Sequence, residues 1–150
     1  MTDLQKTLIA GLTGTAFMSL YSYSLSRKEE SQYREPELLE SMSKQALPEL
    51  KNNRSKAAFG FGLHYLSGLG FTAVYRHLWK RKVVKPNLAS GAILGFFSGV
   101  FGVGVWEAIF RKHPNPPKVD KRGFYQQLLV AHTIFGAMAS AQWKWLKKPH

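Results

Sequence analysis

Residues 57–79 read AAFGFGLHYLSGLGFTAVYRHLW. The segment is apolar or small on every side, is laced with glycine, and carries one imidazole, His64, well inside. From Ala57 to Tyr75 it holds no Asp, Glu, Lys or Arg. A helix on the surface of a soluble protein has one apolar stripe and one charged face, and this stretch has no charged face. A bilayer core about 30 Å thick is crossed by ~20 helical residues, close to the length of the charge-free run. A membrane-spanning helix is therefore expected at 57–78. The chain repeats the theme 68 residues later, where His132 sits in LLVAHTIFGAMASAQWKW (residues 128–145).

Working outward, Thr7–Ser26, Pro86–Trp106 and Gly123–Trp143 are also free of charge, and the four runs are 19 to 21 residues long. The expected architecture is an all-α integral membrane four-helix bundle, with spans at about 8–25, 57–78, 88–110 and 124–146 in a single domain of 150 residues. Two alternatives stand beside it: a soluble four-helix bundle, and a signal peptide for the first run. The latter has a thin basic flank (Lys6 against Asp3) and no clear A-x-A cleavage site. The net charge of +12 sits at the ends of the runs, where anionic headgroups and water meet a membrane protein. The expected partner is thus the lipid bilayer and not nucleic acid. The absence of cysteine excludes disulfides, thiolate metal sites and cysteine nucleophiles.

The runs carry small residues at helical spacing: Gly11, Thr15 and Ser19 with Gly14 beside them; Gly60, His64, Gly68 and Thr72; Gly91, Gly95, Gly99 and Gly102; and Gly136. Such stripes let helix backbones approach closely in lipid. The glycine seam suits packing inside the bundle or against another subunit, so a homo-oligomer or a larger membrane complex is a candidate assembly. Aligning His64 with His132 also matches Gly68 with Gly136 and Tyr75 with Trp143, and suggests a 2+2 parallel internal repeat. Shared glycine-rich composition is the competing explanation.

The polar loop at 26–56 contains Leu38, Leu39, Met42, Ala46 and Leu47 at helical spacing, with Pro36 suited to a first turn and Pro48 to a stop. A short amphipathic helix is expected there, lying on the membrane surface or over the bundle, or serving as a docking site. Tyr21 and Tyr23, and Trp79, Trp143 and Trp145, are expected near the membrane–water interfaces. With four spans, the termini and the 79–87 loop share one side. That side carries nine Lys or Arg against twelve spread over longer loops on the other. Density puts the termini in the cytoplasm, and raw count puts them outside.

Ionisable groups inside a bilayer are rare and face the bundle interior. His64 and His132 lie at similar depth, ~10–12 Å from the side of the 26–56 loop, and Glu107 lies ~5 Å deep from that side, with Tyr21 at comparable depth. Four readings compete for this His64, His132, Glu107 and Tyr21 cluster. They are interhelical hydrogen bonds, a proton or ion relay, bis-histidine ligation of a b-type haem, and a metal site. The structural reading predicts neither metal nor cofactor. No nucleophile elbow, P-loop, dinucleotide fingerprint or HExxH motif is present, so no catalytic residue is assigned and an enzyme is not expected. His77, His113 and His150 lie at helix ends or in tails, where solvation suffices.

The run GLTGTAFMSLYS (Gly11 to Ser22), the motif HYLSGLGFTAVY (His64 to Tyr75) and its echo HTIFGAMASAQW (His132 to Trp143) resemble the YagU-like small four-helix bacterial inner-membrane proteins. That resemblance implies a multi-pass inner-membrane location and supplies no activity. The expected role is a non-enzymatic structural or accessory membrane component. A small proton- or ion-coupled transporter or channel is the first alternative, and a haem electron carrier the second.

Overall fold

Polar side chains fix where each long helix begins. Thr2 and Gln5 form a reciprocal capping box, with Gln5 N donating to Thr2 Oγ1 at 3.2 Å and Thr2 N to Gln5 Oε1 at 2.8 Å. Asn52, Asn87 and Asp120 each accept a first-turn backbone N–H, from Ser55, Ser90 and Gly123 respectively. These groups satisfy amide donors that a helix start would leave bare. A computed structural model of the chain describes residues 1–46 and 52–147. Among them lie five helices and no strand: α1 Asp3–Lys28, α2 Glu35–Ala46, α3 Asn53–Lys80, α4 Leu88–Lys112 and α5 Lys121–Leu146. The long helices outrun the apolar segments at both ends, because the polar flanking residues cap and extend them.

Successive long helices run antiparallel. Lys80 at the end of α3 pairs with Asp3 at the start of α1 at 2.9 Å, and Gly91 early in α4 faces Ser140 late in α5. The most extensive contacts join α4 to α5 and α1 to α5, while α3 packs on α1 and α2. Between α3 and α4 contact is sparse. That gap is bridged at one end by Tyr75 and Ser98, whose hydroxyl oxygens are 2.6 Å apart, and at the other by α2.

Small residues set these distances. A Cβ on Gly136 would lie 2.6 Å from the Gly95 nitrogen and 2.7 Å from its Cα, so α4 and α5 touch backbone to backbone. A Cβ on Gly11 would meet Leu69 at 2.8 Å and Thr72 Oγ1 at 3.1 Å, and one on Gly14 would meet Phe135. The contacts of the two hairpins correspond position by position. A shift of 80 residues carries Gly11, Thr15 and Ser19 onto Gly91, Gly95 and Gly99, and a shift of 68 carries Thr72, Gly68 and His64 onto Ser140, Gly136 and His132. Gly11 meets Thr72 as Gly91 meets Ser140, and Thr15 meets Gly68 as Gly95 meets Gly136. Ser19 meets His64 as Gly99 meets His132. Gly60 departs from the expected pattern: it admits α2, since a Cβ there would crowd the Pro36 carbonyl and sit 3.0 Å from the Glu40 nitrogen.

The interior mixes aromatic side chains with small and polar ones, and much of the outer face is apolar. Thr7, Thr15, Ser22, Thr72, Gln127 and Ser140 are buried, whereas Leu12, Leu20, Leu66, Ile93, Phe97 and Phe101 are exposed. Two aromatic clusters close the ends. Trp79 and Trp143 pack at 5.2 Å at the end that holds the termini, and Trp106, Phe110 and Phe124 pack beneath α2. Trp79 and Trp143 are therefore core residues and not interfacial anchors, while Trp145 is exposed.

Two helices, α3 over Arg54–Lys80 and α4 over Leu88–Lys112, are long and apolar enough to cross a membrane. Helices also form over the other two expected spans, 8–25 and 124–146, but they are less apolar and fall outside that group. Buried hydroxyl, amide and imidazole groups dilute the apolar character of α1 and α5, and α5 tolerates them because it packs against both α4 and α1. The loop helix forms at Glu35–Ala46 with Pro36 in its first turn, docked on α3 with Leu38 and Met42 buried. Leu47 and Pro48, expected to complete and stop it, lie outside the described residues, as does His150.

The glycine contacts make a testable contrast. Gly136→Ala forces a methyl into the Gly95 backbone and should lower stability by about 1–3 kcal/mol or more in detergent unfolding. Gly104→Ala, with nothing within 4 Å of the new Cβ, should leave stability unchanged or slightly raised. Equal effects of the two would contradict the α4–α5 contact.

Candidate functional site: a buried carboxylate and two imidazoles

The connection from α1 to α2 is tied down before the site begins. Ser26 Oγ accepts the Tyr33 N–H at 3.0 Å, Gln127 Nε2 donates to the Tyr33 carbonyl at 3.2 Å, and Ser22 Oγ donates to Gln127 Oε1 at 3.0 Å. These bonds fix the start of α2 against α1 and α5. The close approach at Gly60 then lays the first turn of α2 on α3 and turns the side chain of Glu35 into the gap between α3 and α4.

Glu35 is buried and has a partner on each oxygen. Trp106 Nε1 donates to Oε1 at 2.8 Å, and His64 Nδ1 lies 3.4 Å from Oε2, a charge contact somewhat long for a hydrogen bond. The other ring nitrogen of His64, Nε2, is 3.0 Å from Ser19 Oγ. An ionised carboxylate can only accept, so Nδ1 of His64 carries a proton, and in the neutral imidazole Nε2 accepts from the Ser19 hydroxyl. Burial pushes the Glu35 carboxyl up, but His64, the more distant His132 and the Trp106 N–H together outweigh it and hold the carboxyl at about 2. One side chain on α2 thus ties together α3 and α4, which otherwise scarcely touch.

His132 is buried on α5 and is oriented differently. Its Nδ1 lies 2.9 Å from the Leu128 carbonyl, which can only accept, so Nδ1 carries the proton. Phe71 meets the ring edge-on at 5.8 Å. The difference from His64 follows from one position: where α1 presents Ser19 to His64, α4 presents Gly99 to His132, and glycine offers no hydroxyl. His132 therefore bonds within its own helix, and its Nε2 faces Gly102, whose added Cβ would stand 3.5 Å away.

Both imidazoles and Glu35 line one cavity of about 220 Å³ between α3 and α4, walled mainly by apolar side chains including Phe71, Phe101, Trp106 and Phe135. Two of the four expected cluster members, His64 and His132, are thus brought together. The other two are not. Glu107 turns to the end of the bundle, where it accepts from Tyr125 Oη at 2.6 Å and from Arg111 Nε at 2.5 Å and lies 3.8 Å from Lys121. Tyr21 lines a separate surface hollow with Tyr33 and Gln127. Its place is taken by a carboxylate that sequence reasoning missed, and the signal was available: Glu35 shares the helical stripe of Leu38 and Met42, so it lies on the apolar face.

Among the described residues no three His, Cys, Asp or Glu side chains are grouped to hold a metal. Haem ligation by His64 would require it to surrender either Ser19 or Glu35. No protein-family model, curated protein or solved structure matches the chain.

Glu35 makes the site testable by pH. Its folded-state affinity for a proton lies below the ordinary value of 4.5, so its stabilising contribution is complete above that pH and is lost as pH falls towards about 2. Glu35→Ala, which strands Trp106 Nε1 and His64 Nδ1, should cost about 3 kcal/mol near neutral pH. Glu35→Gln, which retains an acceptor for Trp106, should cost less, and its deficit against wild type should shrink on acidification. A deficit that grows in acid would sink this account of the pair.

Proposed function

We propose that the chain is a non-enzymatic, multi-pass membrane component, structural or accessory in role, in which α1, α3, α4 and α5 all cross the bilayer and α2 plugs one end. The observation that carries this reading is the apolar outer surface. Leucine, isoleucine and phenylalanine side chains face outward on α1, α3 and α4, while serine, threonine, glutamine and histidine are buried among the aromatic side chains of the interior. In water that arrangement would leave a large apolar surface exposed, whereas in lipid that surface matches the solvent. The basic residues at the helix ends support the same reading. Corresponding contacts in the α1–α3 and α4–α5 hairpins favour an internal duplication. The resemblance to YagU-like proteins favours the bacterial inner membrane, and basic density favours cytoplasmic termini.

A proton- or ion-coupled transporter is the second reading, favoured by the joint exposure of Glu35, His64 and His132 to one cavity. It no longer includes Glu107. Its cavity is mainly apolar, and several of its lining residues (Ser67, Phe101 and Val105) are exposed on the outer faces of α3 and α4. The accessory reading is preferred for that reason.

The natural absence of cysteine allows single cysteines to report sidedness without background. In sealed vesicles, cysteines at Thr2 and Lys82 should be labelled from one side by a membrane-impermeant maleimide, and one at Asn115 only from the other. The protein should stay in the membrane pellet after alkaline carbonate extraction. Labelling of Thr2 and Asn115 from the same side, or release by carbonate, would overturn the four-span reading.

A further inference from the structure

We propose that the cleft between α3 and α4 binds the head of an amphiphilic phenol drawn from the bilayer, with its hydroxyl donating to His132 Nε2. That the ligand arrives through lipid rests on the membrane reading above. The binding itself rests on the cleft.

Three observations combine. His132 is more than nine-tenths buried, its Nδ1 is engaged by the Leu128 carbonyl, and its Nε2 faces the cavity with no hydrogen-bond partner among the described residues. An acceptor that opens onto a mainly apolar cavity is best matched by a ligand that donates. Its other groups reinforce the choice. Glu35 is an acceptor, and the nearby donors are already committed, Trp106 Nε1 to Glu35 and Ser67 Oγ to the Leu63 carbonyl. The walls are aromatic where they are largest, with Phe71, Phe101, Trp106 and Phe135 around the space. Edge and face contacts with a flat ring suit such a lining. A volume of about 220 Å³ lies below the ~300–1,000 Å³ of sites that engulf a drug-sized molecule. The ring and its first few carbons fit inside, and a longer tail leaves through the side.

The two hairpins show how the site arises. At the position equivalent to Gly99 stands Ser19, which occupies His64 Nε2. In the second hairpin, Gly99 and Gly102 withdraw both hydroxyl and volume. Of the two histidines that line the space, His132 is the one whose Nε2 has no partner among the described residues.

The test uses the full-length protein in detergent and 4-butylphenol, with 4-butylanisole as the probe that cannot donate. Ligand-observed saturation-transfer NMR or calorimetry should show the phenol binding at least tenfold more tightly than the anisole. Gly102→Ala, whose new methyl makes an ordinary contact with His132 Nε2 and so should fold, is expected to weaken the phenol at least fivefold. Gly104→Ala, on the open face of the same helix, should bind like wild type. His132→Phe should erase the preference for phenol over anisole. Should that variant fail to fold, the Gly102 and Gly104 pair still decides. Equal binding of the two probes, or phenol binding indifferent to Gly102→Ala, would mean partition into the micelle only and would overturn the proposal. Correct vesicle labelling together with no phenol selectivity removes this site and leaves the membrane reading standing. Selectivity together with failed labelling does the reverse.

Discussion

The molecule depends on how closely its helix backbones are allowed to approach. Three rungs of small residues, led by Gly11, Thr15 and Ser19 on α1 and by Gly91, Gly95 and Gly99 on α4, decide which helices touch and at what height. Where both partners are glycine, as at Gly95 and Gly136, the backbones themselves meet. Where one is threonine, the hydroxyl is absorbed. Thr15 and Thr72 donate to carbonyls one turn back in their own helices at 2.8 and 2.9 Å, so neither seeks a partner across the interface. Other buried hydroxyls bond between helices, as Ser22 does with Gln127 and Ser98 with Tyr75.

That tight packing has a complement in the loose contact between α3 and α4. A four-helix arrangement with α1–α3, α1–α5 and α4–α5 closely joined leaves one side open, and Glu35 closes it. Burial of a carboxylate is unfavourable unless its oxygens are matched. The Trp106 indole and the His64 imidazole supply the match from the two helices that need joining. The position of α2 is over-determined by Gly60 beneath it, the Tyr33–Gln127 bond before it and Glu35 within it.

Much of this was legible in the sequence, for reasons that can be named. The small-residue stripes and the pairing of His64 with His132 are local patterns, and helical geometry converts them directly into faces and depths. The hydropathy of α1 and α5 is less decisive, since serine, threonine, tyrosine and glutamine lower the apolar character of charge-free runs. Glu107 was read as an intramembrane acid because depth along α4 was known but rotation about its axis was not. In the structure it points at Tyr125 and Arg111. Glu35 escaped notice because it lies in a loop rich in charge, where one more carboxylate carries no signal unless the apolar stripe of the short helix is drawn through it. The aromatic ends mislead in the opposite sense: Trp79 and Trp143 look like interfacial residues in one dimension and pack against each other, buried, in three.

The pairing of Glu35 with Trp106 spans 71 residues, and that separation bears on the order in which the protein is made. Chains are synthesised from the N-terminus, so Glu35 and His64 both leave the ribosome before α4 exists. During that interval the carboxylate has one of its two partners, and α2 has α3 and the end of α1 to rest on. The full set of bonds that seats α2 therefore cannot exist before the second hairpin has joined the first.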